Sequence, residues 1–376
     1  MSETEILKEN DKAPVWVIKI GSALLTQDGK ALVHETLDIW VPQIAELLKQ
    51  GIRVVLVSSG AVSEGMARLG WNTRPNFLHE LQAAAAVGQS GLIGAYQVRF
   101  KSFDTQTAQI LLVHADLSDR TRYINAQQTI KQLLDLNVVP IVNENDTVAT
   151  DEIRFGDNDT LAGLVANLVN ADKLVILTDQ QGVFTDDPRK NPNATLIKSC
   201  DVSDSQLEMA AKGSGGALGR GGMATKIQSA KYAARSGTTT IIANGREQDV
   251  LLRLANNESL GTRIHHEGEA IAPRKQWLWG LKSKGVLSLD AGAVKALRSS
   301  GVSLLAVGVS TVQGEFQRGD LVSCVDLDNK EIARGLVAYS SEDTARIIGQ
   351  PSDRLTAILG YDYGDELIHR DNLLVL

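Results

Sequence analysis

The sequence predicts an α/β fold, a mainly parallel open sheet sandwiched by helices, followed by a small, mostly β C-terminal domain. Three observations carry that prediction. Short β-branched apolar runs alternate with segments of helical periodicity, the runs are apolar on both faces, and the texture changes past residue 262. An apolar run without polar alternation suits a strand covered on both sides, and strands separated by helices pair in parallel.

The strands are read in order as "VWVIKIGS" (15–22), "IRVVLVSS" (52–59), "AQILLVH" (108–114), "VVPIVN" (138–143), "KLVILTD" (173–179) and "TTTIIAN" (238–244). Residues 35–50 carry Leu37, Val41, Ile44, Leu47 and Leu48 at helical spacing, and 119–136 and 222–236 read similarly. Beyond 262, "RIHHEGEAIAPRKQWLWG" is polar and holds Pro273, the composition of a linker. The expected division is a first domain over 1–262, a linker over 263–276 and a second domain over 277–376. In the last, short strand-like pieces alternate with Gly/Asp turns, with one helix near 291–300.

Composition narrows the function. A net charge of −7 is mild, so neither nucleic acid nor an anionic membrane is a general electrostatic partner. The two cysteines, Cys200 and Cys324, lie far apart without CxxC spacing, which argues against a disulfide framework and a zinc site. No secretory h-region opens the chain and no apolar run reaches membrane-spanning length, so the cytoplasm is the expected location.

Ligands of parallel sheets collect at the carboxyl ends of the strands. There the sequence places Lys19-Ile20-Gly21-Ser22, Ser58-Ser59-Gly60, Asn143-Glu144-Asn145-Asp146 and Thr178-Asp179. The glycine-rich "GSGGALGRGGMATK" (213–226) leads into a helix whose first turn carries Lys226, an anion site or else a plain capped loop. Lys19 is either a snorkelling strand-end side chain or a second cation for the same anion. Two such lysines suit a phosphoryl group in transit. "FGDNDTLA" (155–162) sets Asp157, Asn158 and Asp159 at a helix start, more than capping requires. Acidic groups there would seat the lysines and help hold Mg²⁺. An acceptor that is itself a carboxylate needs no base, since it is ionised at neutral pH. No GxxxxGK[ST] occurs, so a P-loop is excluded; Gly219-x-Gly221-x-x-Ala224 follows no strand, and Ser63 falls inside a helix, so dinucleotide and nucleophile-elbow readings fail too.

"VIKIGSALLT", "VLVSSGAVSEG", "VVPIVNENDTVAT", "FGDNDTLA", "LTDQQGVFTDDPR" and "GGMATKIQSA" resemble the ordered motifs of the amino-acid kinase family, specifically its branch acting on L-glutamate. The C-terminal "LDAGAVKAL", "GVSLLAVGV" and "GEFQRGDLV" resemble a PUA domain. The resemblance implies ATP-dependent phosphorylation of the glutamate γ-carboxylate, the first step of proline biosynthesis. It implies Lys19 and Lys226 as stabilisers of the moving phosphoryl group and Asp159 as their organiser. The implied glutamate pocket takes Ser59, Gly60, Asn143, Asp146, Asp157 and Asn158. The implied ATP site takes Lys19, Gly21, Thr178, Asp179, Arg220, Gly221, Gly222, Met223, Ala224, Thr225 and Lys226, with Arg220 standing where many relatives have threonine. Mg²⁺ held mainly by ATP phosphates, a homo-oligomer, feedback inhibition by proline and a downstream glutamyl phosphate reductase complete the implied picture. RNA binding through the PUA-like unit is disfavoured by the near balance of acidic and basic residues past 271, despite the local cluster Arg274, Lys275, Lys282 and Lys284.

Overall fold

A computed structural model describes residues 13–27, 31–148, 158–213, 222–267, 281–300, 302–361 and 364–376. The chain divides into two compact units, the first Met1–Asp116 with Thr121–Ile271 and the second Leu117–Arg120 with Ala272–Leu376.

The first unit is built on an eight-stranded sheet. Its strands are β1 (Val15–Ile20), β2 (Arg53–Ser58), β3 (Thr107–Leu112), β4 (Val139–Glu144), β5 (Lys173–Thr178), β6 (Ser199–Asp201), β7 (Thr239–Asn244) and β8 (Thr262–His265). They lie in the order β3-β4-β2-β1-β5-β7-β8-β6. All pair in parallel except β7 with β8. The composition shift near 262 therefore marks the sheet's last strand in sequence, with Thr262 and Ile264 buried and Arg263 exposed. A strand so short, with alternating polarity, has the composition of a loop.

The helices that matter are α1 (Leu37–Lys49), α2 (Ala61–Arg68), α3 (Leu78–Lys101), α4 (Arg120–Asp135), α5 (Asn158–Val169), α6 (Ser205–Gly213), α7 (Met223–Ala234) and α8 (Val250–Ala255). Strand parity assigns them to faces. Trp16, Ile18 and Ile20 of β1 join Val54 and Leu56 of β2 in one core with Trp40, Leu92, Tyr96 and Leu251, which come from α1, α3 and α8. Val15, Val17 and Lys19 point to the opposite face, which α5 covers. Lys19 is thus the polar end of an otherwise apolar row, at the carboxyl edge of the sheet. In register, Ile20 stands beside Ser58 and Leu177, so Gly21, Ser59 and Thr178 leave the sheet at the same end.

The long helix α3 is absent from the periodicity reading because small and apolar residues surround it on several sides: Ala84, Ala85, Gly88, Leu92, Ile93 and Tyr96 are all buried. It crosses α2 nearly backbone to backbone. A Cβ on Gly88 would fall 1.9 Å from the Ala61 carbonyl oxygen, and one on Gly65 would fall 1.6 Å from that of Ala84.

The second unit has its own core, with Leu287, Leu289, Phe316, Val322, Tyr339 and Leu367 among its buried members. Its sheet contains β9 (Gly285–Leu289), β10 (Val309–Gly314), β11 (Leu321–Val325), β12 (Glu331–Leu336) and β13 (Leu373–Val375), in the order β10-β9-β11-β12-β13. The expected helix is present at Ala291–Ser300. Two more, Ser341–Ile347 and Leu355–Leu359, go beyond the expectation. The first is capped by Ser340, whose hydroxyl accepts from the Asp343 amide. Among the described residues no helix is long and apolar enough to cross a membrane.

Gly88→Ala is expected to force α2 away from α3 and lower the unfolding free energy by about 1–3 kcal/mol or more. An unchanged midpoint in urea would show that the helix crossing is slacker than these distances require.

Candidate active site

One carboxylate joins three elements. Asp159, in the first turn of α5, accepts from Lys19 Nζ of β1 on Oδ1. Its Oδ2 accepts from Lys226 Nζ of α7 at 3.0 Å and from Thr225 Oγ1 at 2.7 Å. Asp159, Lys19 and Lys226 are only 1%, 4% and 5% exposed. An acidic residue in the first turn is favoured by the helix dipole. The approach of α5 to α7 is set one turn further on, where a Cβ on Gly163 would lie 2.4 Å from the Ser229 carbonyl oxygen. Glycine at 163 and the small Ser229 let the two helices meet closely enough for Lys226 to reach Asp159.

Burial alone would raise the Asp159 pKa, but the charges of Lys19 and Lys226 and the hydrogen bonds from Lys19 and Thr225 reverse that and hold it at about 2. Burial lowers the Lys226 pKa; the charge of Asp159 opposes the fall and that of Lys19 adds to it. Two ammonium groups against one carboxylate leave a positive surplus, the electrostatic setting for an additional anion.

Next to Asp159 on the helix, Asn158 turns toward a different space, a cavity of about 110 Å³ that it lines with Ser22, Ser59, Gly60, Ser63, Arg74, Asn143, Glu144 and Asp146. Asn158 Nδ2 lies within hydrogen-bond distance of three acceptors, Ser58 O at 3.0 Å, Ser59 Oγ at 2.9 Å and Asn143 Oδ1 at 3.0 Å, which share its two protons. Asn143 Nδ2 donates in turn to Gln89 Oε1 at 2.8 Å. Consecutive residues of α5 therefore serve two places, Asp159 the lysine pair and Asn158 the cavity.

On the other side, Thr178 ends β5 and donates through Oγ1 to Asp179 Oδ1 at 3.2 Å. The charge of Asp179 adds slightly to that of Asp159 in opposing the fall of the Lys226 pKa that burial causes. Gly21 follows β1 and bonds to Leu177 O at 3.0 Å. Gly222 is the N-cap of α7, and Met223, Ala224, Thr225 and Lys226 form its first turn. Asp157, Arg220 and Gly221 lie outside the described residues. Among the described residues no group of three or more His, Cys, Asp or Glu side chains converges to hold a metal.

Of the residues named from the sequence, Ser59, Gly60, Asn143, Asp146 and Asn158 meet at the cavity, and Lys19, Asp159, Thr225 and Lys226 meet at the bridge. Arg74 lines the cavity without having been singled out, Ser22 had been named only with its strand end and Ser63 only as a rejected nucleophile, and Gln89 supports the cavity from α3. Arg74 sits in the loop "WNTRPNF", where nothing separates it from any other surface arginine.

Comparison with known proteins places the chain in a family. The profile of the Amino acid kinase family matches residues 14–244, and that of the PUA domain matches 285–359. The glutamate 5-kinase of Hahella chejuensis is 57% identical over 362 residues, covering 96% of this chain and 94% of that protein. That of Stutzerimonas stutzeri is 58% identical over 362 residues, with coverages of 96% and 97%. That of a Marinomonas species is 57% identical over 373 residues, covering 99% of this chain and 100% of its own. Among solved structures, the carbamate kinase from Giardia lamblia bound to AMP-PNP superposes with a TM-score of 0.50 at 20% identity, over 68% of this chain and 99% of that one, a likeness of fold.

Asp159→Asn would leave two buried ammonium groups against a neutral amide, and is expected to lower stability at pH 7 by about 3–5 kcal/mol. The folded pKa of Asp159 lies below its unfolded value, so its contribution is complete above about pH 4 and is lost as the pH falls through about 2. The gap between wild type and variant should narrow over that window in denaturant unfolding. Equal stability at pH 7, or a gap that ignores acidification, contradicts the bridge.

Proposed function

The chain belongs to the amino acid kinase family and, within it, to the glutamate 5-kinases, and on that premise we propose that it transfers the γ-phosphoryl group of ATP to the side-chain carboxylate of L-glutamate. The products are L-glutamyl 5-phosphate and ADP, and the reaction opens proline biosynthesis. The observation that carries the assignment of roles is the sharing of Asp159 between Lys19 and Lys226, with Asn158 beside it on the cavity.

The acceptor carboxylate is already ionised at neutral pH, so no residue has to remove a proton from it. The obstacle is repulsion between that carboxylate and the triphosphate. Lys19 and Lys226 offer positive charge from two different elements, β1 and α7, and Asp159 holds both ammonium groups in place without neutralising them together. Preset charges need no reorganisation as negative charge shifts across the transferring group. Ser59, Gly60, Asn143, Asp146 and Asn158, with Asp157, form the glutamate pocket in this reading. Gly21, Thr178, Asp179 and the run from Arg220 to Lys226 take ATP.

Both oxygens of Asp159 are engaged by Lys19, Lys226 and Thr225, and no acidic cluster converges among the described residues. That donor set fits Mg²⁺ carried mainly by phosphate oxygens. Such an ion, when bound, supplies further neutralisation of the phosphates. The wider reading has the chain in the cytoplasm as a homo-oligomer, inhibited by proline and passing its labile acyl phosphate to a glutamyl phosphate reductase.

Hydroxylamine trapping tests the reaction: with Mg-ATP, hydroxamate is expected from L-glutamate and not from N-acetylglutamate, aspartate or buffer. Hydroxamate from another acceptor alone would overturn the substrate. Lys226→Ala is expected to lower kcat by on the order of 10²–10³-fold while KM for glutamate stays within about threefold. An unchanged kcat with a raised KM would deny Lys226 its role at the moving charge. Millimolar L-proline is expected to slow turnover at subsaturating glutamate, and an unaffected rate would remove the feedback proposal.

A further inference from the structure

Gln89 does not line the acceptor cavity, yet it holds one of the amides that do. It is 8% exposed and projects from the middle of α3. Asn143 Oδ1 accepts from the Glu144 backbone N–H at 2.9 Å. A backbone N–H only donates, so the other end of the Asn143 amide is its NH₂, which donates to Gln89 Oε1 at 2.8 Å. Asn158 is fixed in the same manner, because Ser58 O only accepts and Nδ2 reaches it at 3.0 Å. The same Nδ2 lies 3.0 Å from Asn143 Oδ1 and 2.9 Å from Ser59 Oγ. The same helix supports the strand end a second time, where Tyr96 OH lies 3.0 Å from Ser58 Oγ.

We infer that Gln89 is a positioning residue for the acceptor pocket: by accepting from Asn143 Nδ2 it holds that amide in place at the cavity, with Asn143 Oδ1 on the Glu144 N–H and on Asn158. This rests on the reading of the acceptor as a carboxylate-bearing amino acid. Without the Gln89 carbonyl, Asn143 Nδ2 has a buried proton and no acceptor. The Asn143 amide either keeps that unpaired proton or shifts to find an acceptor, which loosens its place in the cavity while Asn158 stays fixed by Ser58 O.

Gln89→Met keeps the side-chain volume and removes the acceptor. The expected result is a rise in KM for L-glutamate of about tenfold, with KM for ATP unchanged. In an Asn143→Ala background the same substitution is expected to change KM by no more than about twofold, because its effect passes through that amide. A merely structural role would shift both Michaelis constants, or act equally in both backgrounds, and either result overturns the inference; so does an unchanged KM in the single variant. Gln89→Asn, which shortens the reach of the same amide, replaces the methionine variant with the same readouts if the latter does not fold. Wild-type turnover with glutamate is measured first. If another acceptor is phosphorylated instead, the substrate proposal falls, and the cycle is run on that acceptor, whose KM decides the role of Gln89 separately.

Discussion

A single buried carboxylate between two ammonium groups is the constraint on which the first unit depends. Asp159 must be ionised to hold Lys19 and Lys226, and it stays ionised only because both are there. Burying three charges is costly unless the geometry is well determined. The fold supplies that determination with one residue each from a central strand, the mouth of α5 and the first turn of α7. Strand parity aims Lys19 at the α5 face, and the glycine at 163 lets α7 come close. A positive surplus held in this way is suited to a transient anion and poorly suited to a purely structural role.

The neighbouring residue on the same helix extends the constraint. Asn158 and Asp159 point in different directions because consecutive helix residues do, so one helix mouth couples the cavity to the lysine pair, which in the proposed reaction take the acceptor and the transferring group respectively. The amides of Asn158 and Asn143 are locked by backbone atoms of Ser58 and Glu144, which ties pocket polarity to the ends of β2 and β4. Support from α3 reaches the same strand ends through Gln89 and Tyr96.

Much of this was legible in the chain itself. Strands buried on both faces leave continuous apolar runs, which is why β1, β2, β4, β5 and β7 are readable from residues 15, 53, 139, 173 and 239 onward. Helix α3 was not, since packing on several sides erases the apolar stripe, and β8 was not, since four residues of alternating polarity look like a loop. At the site, Lys19, Asp159 and Lys226 were identifiable from residue type beside glycine and helix starts, and the motif resemblance joined them into one set. Gln89 and Arg74 carry no such sign. Each acquires its role only from what the fold sets beside it, Asn143 in one case and the cavity wall in the other.

The most direct test of the account is an experimental structure with ADP, Mg²⁺, aluminium fluoride and L-glutamate, in which the fluoride group stands for the phosphoryl in transit. The account predicts both Lys19 Nζ and Lys226 Nζ within about 3 Å of fluoride ligands, with Asp159 still bridging them and the glutamate carboxylate approaching from the side of Asn158. A fluoride group contacted by neither lysine, or by one with the other remote from it, would contradict the claim that the bridge exists to hold two cations for the moving charge.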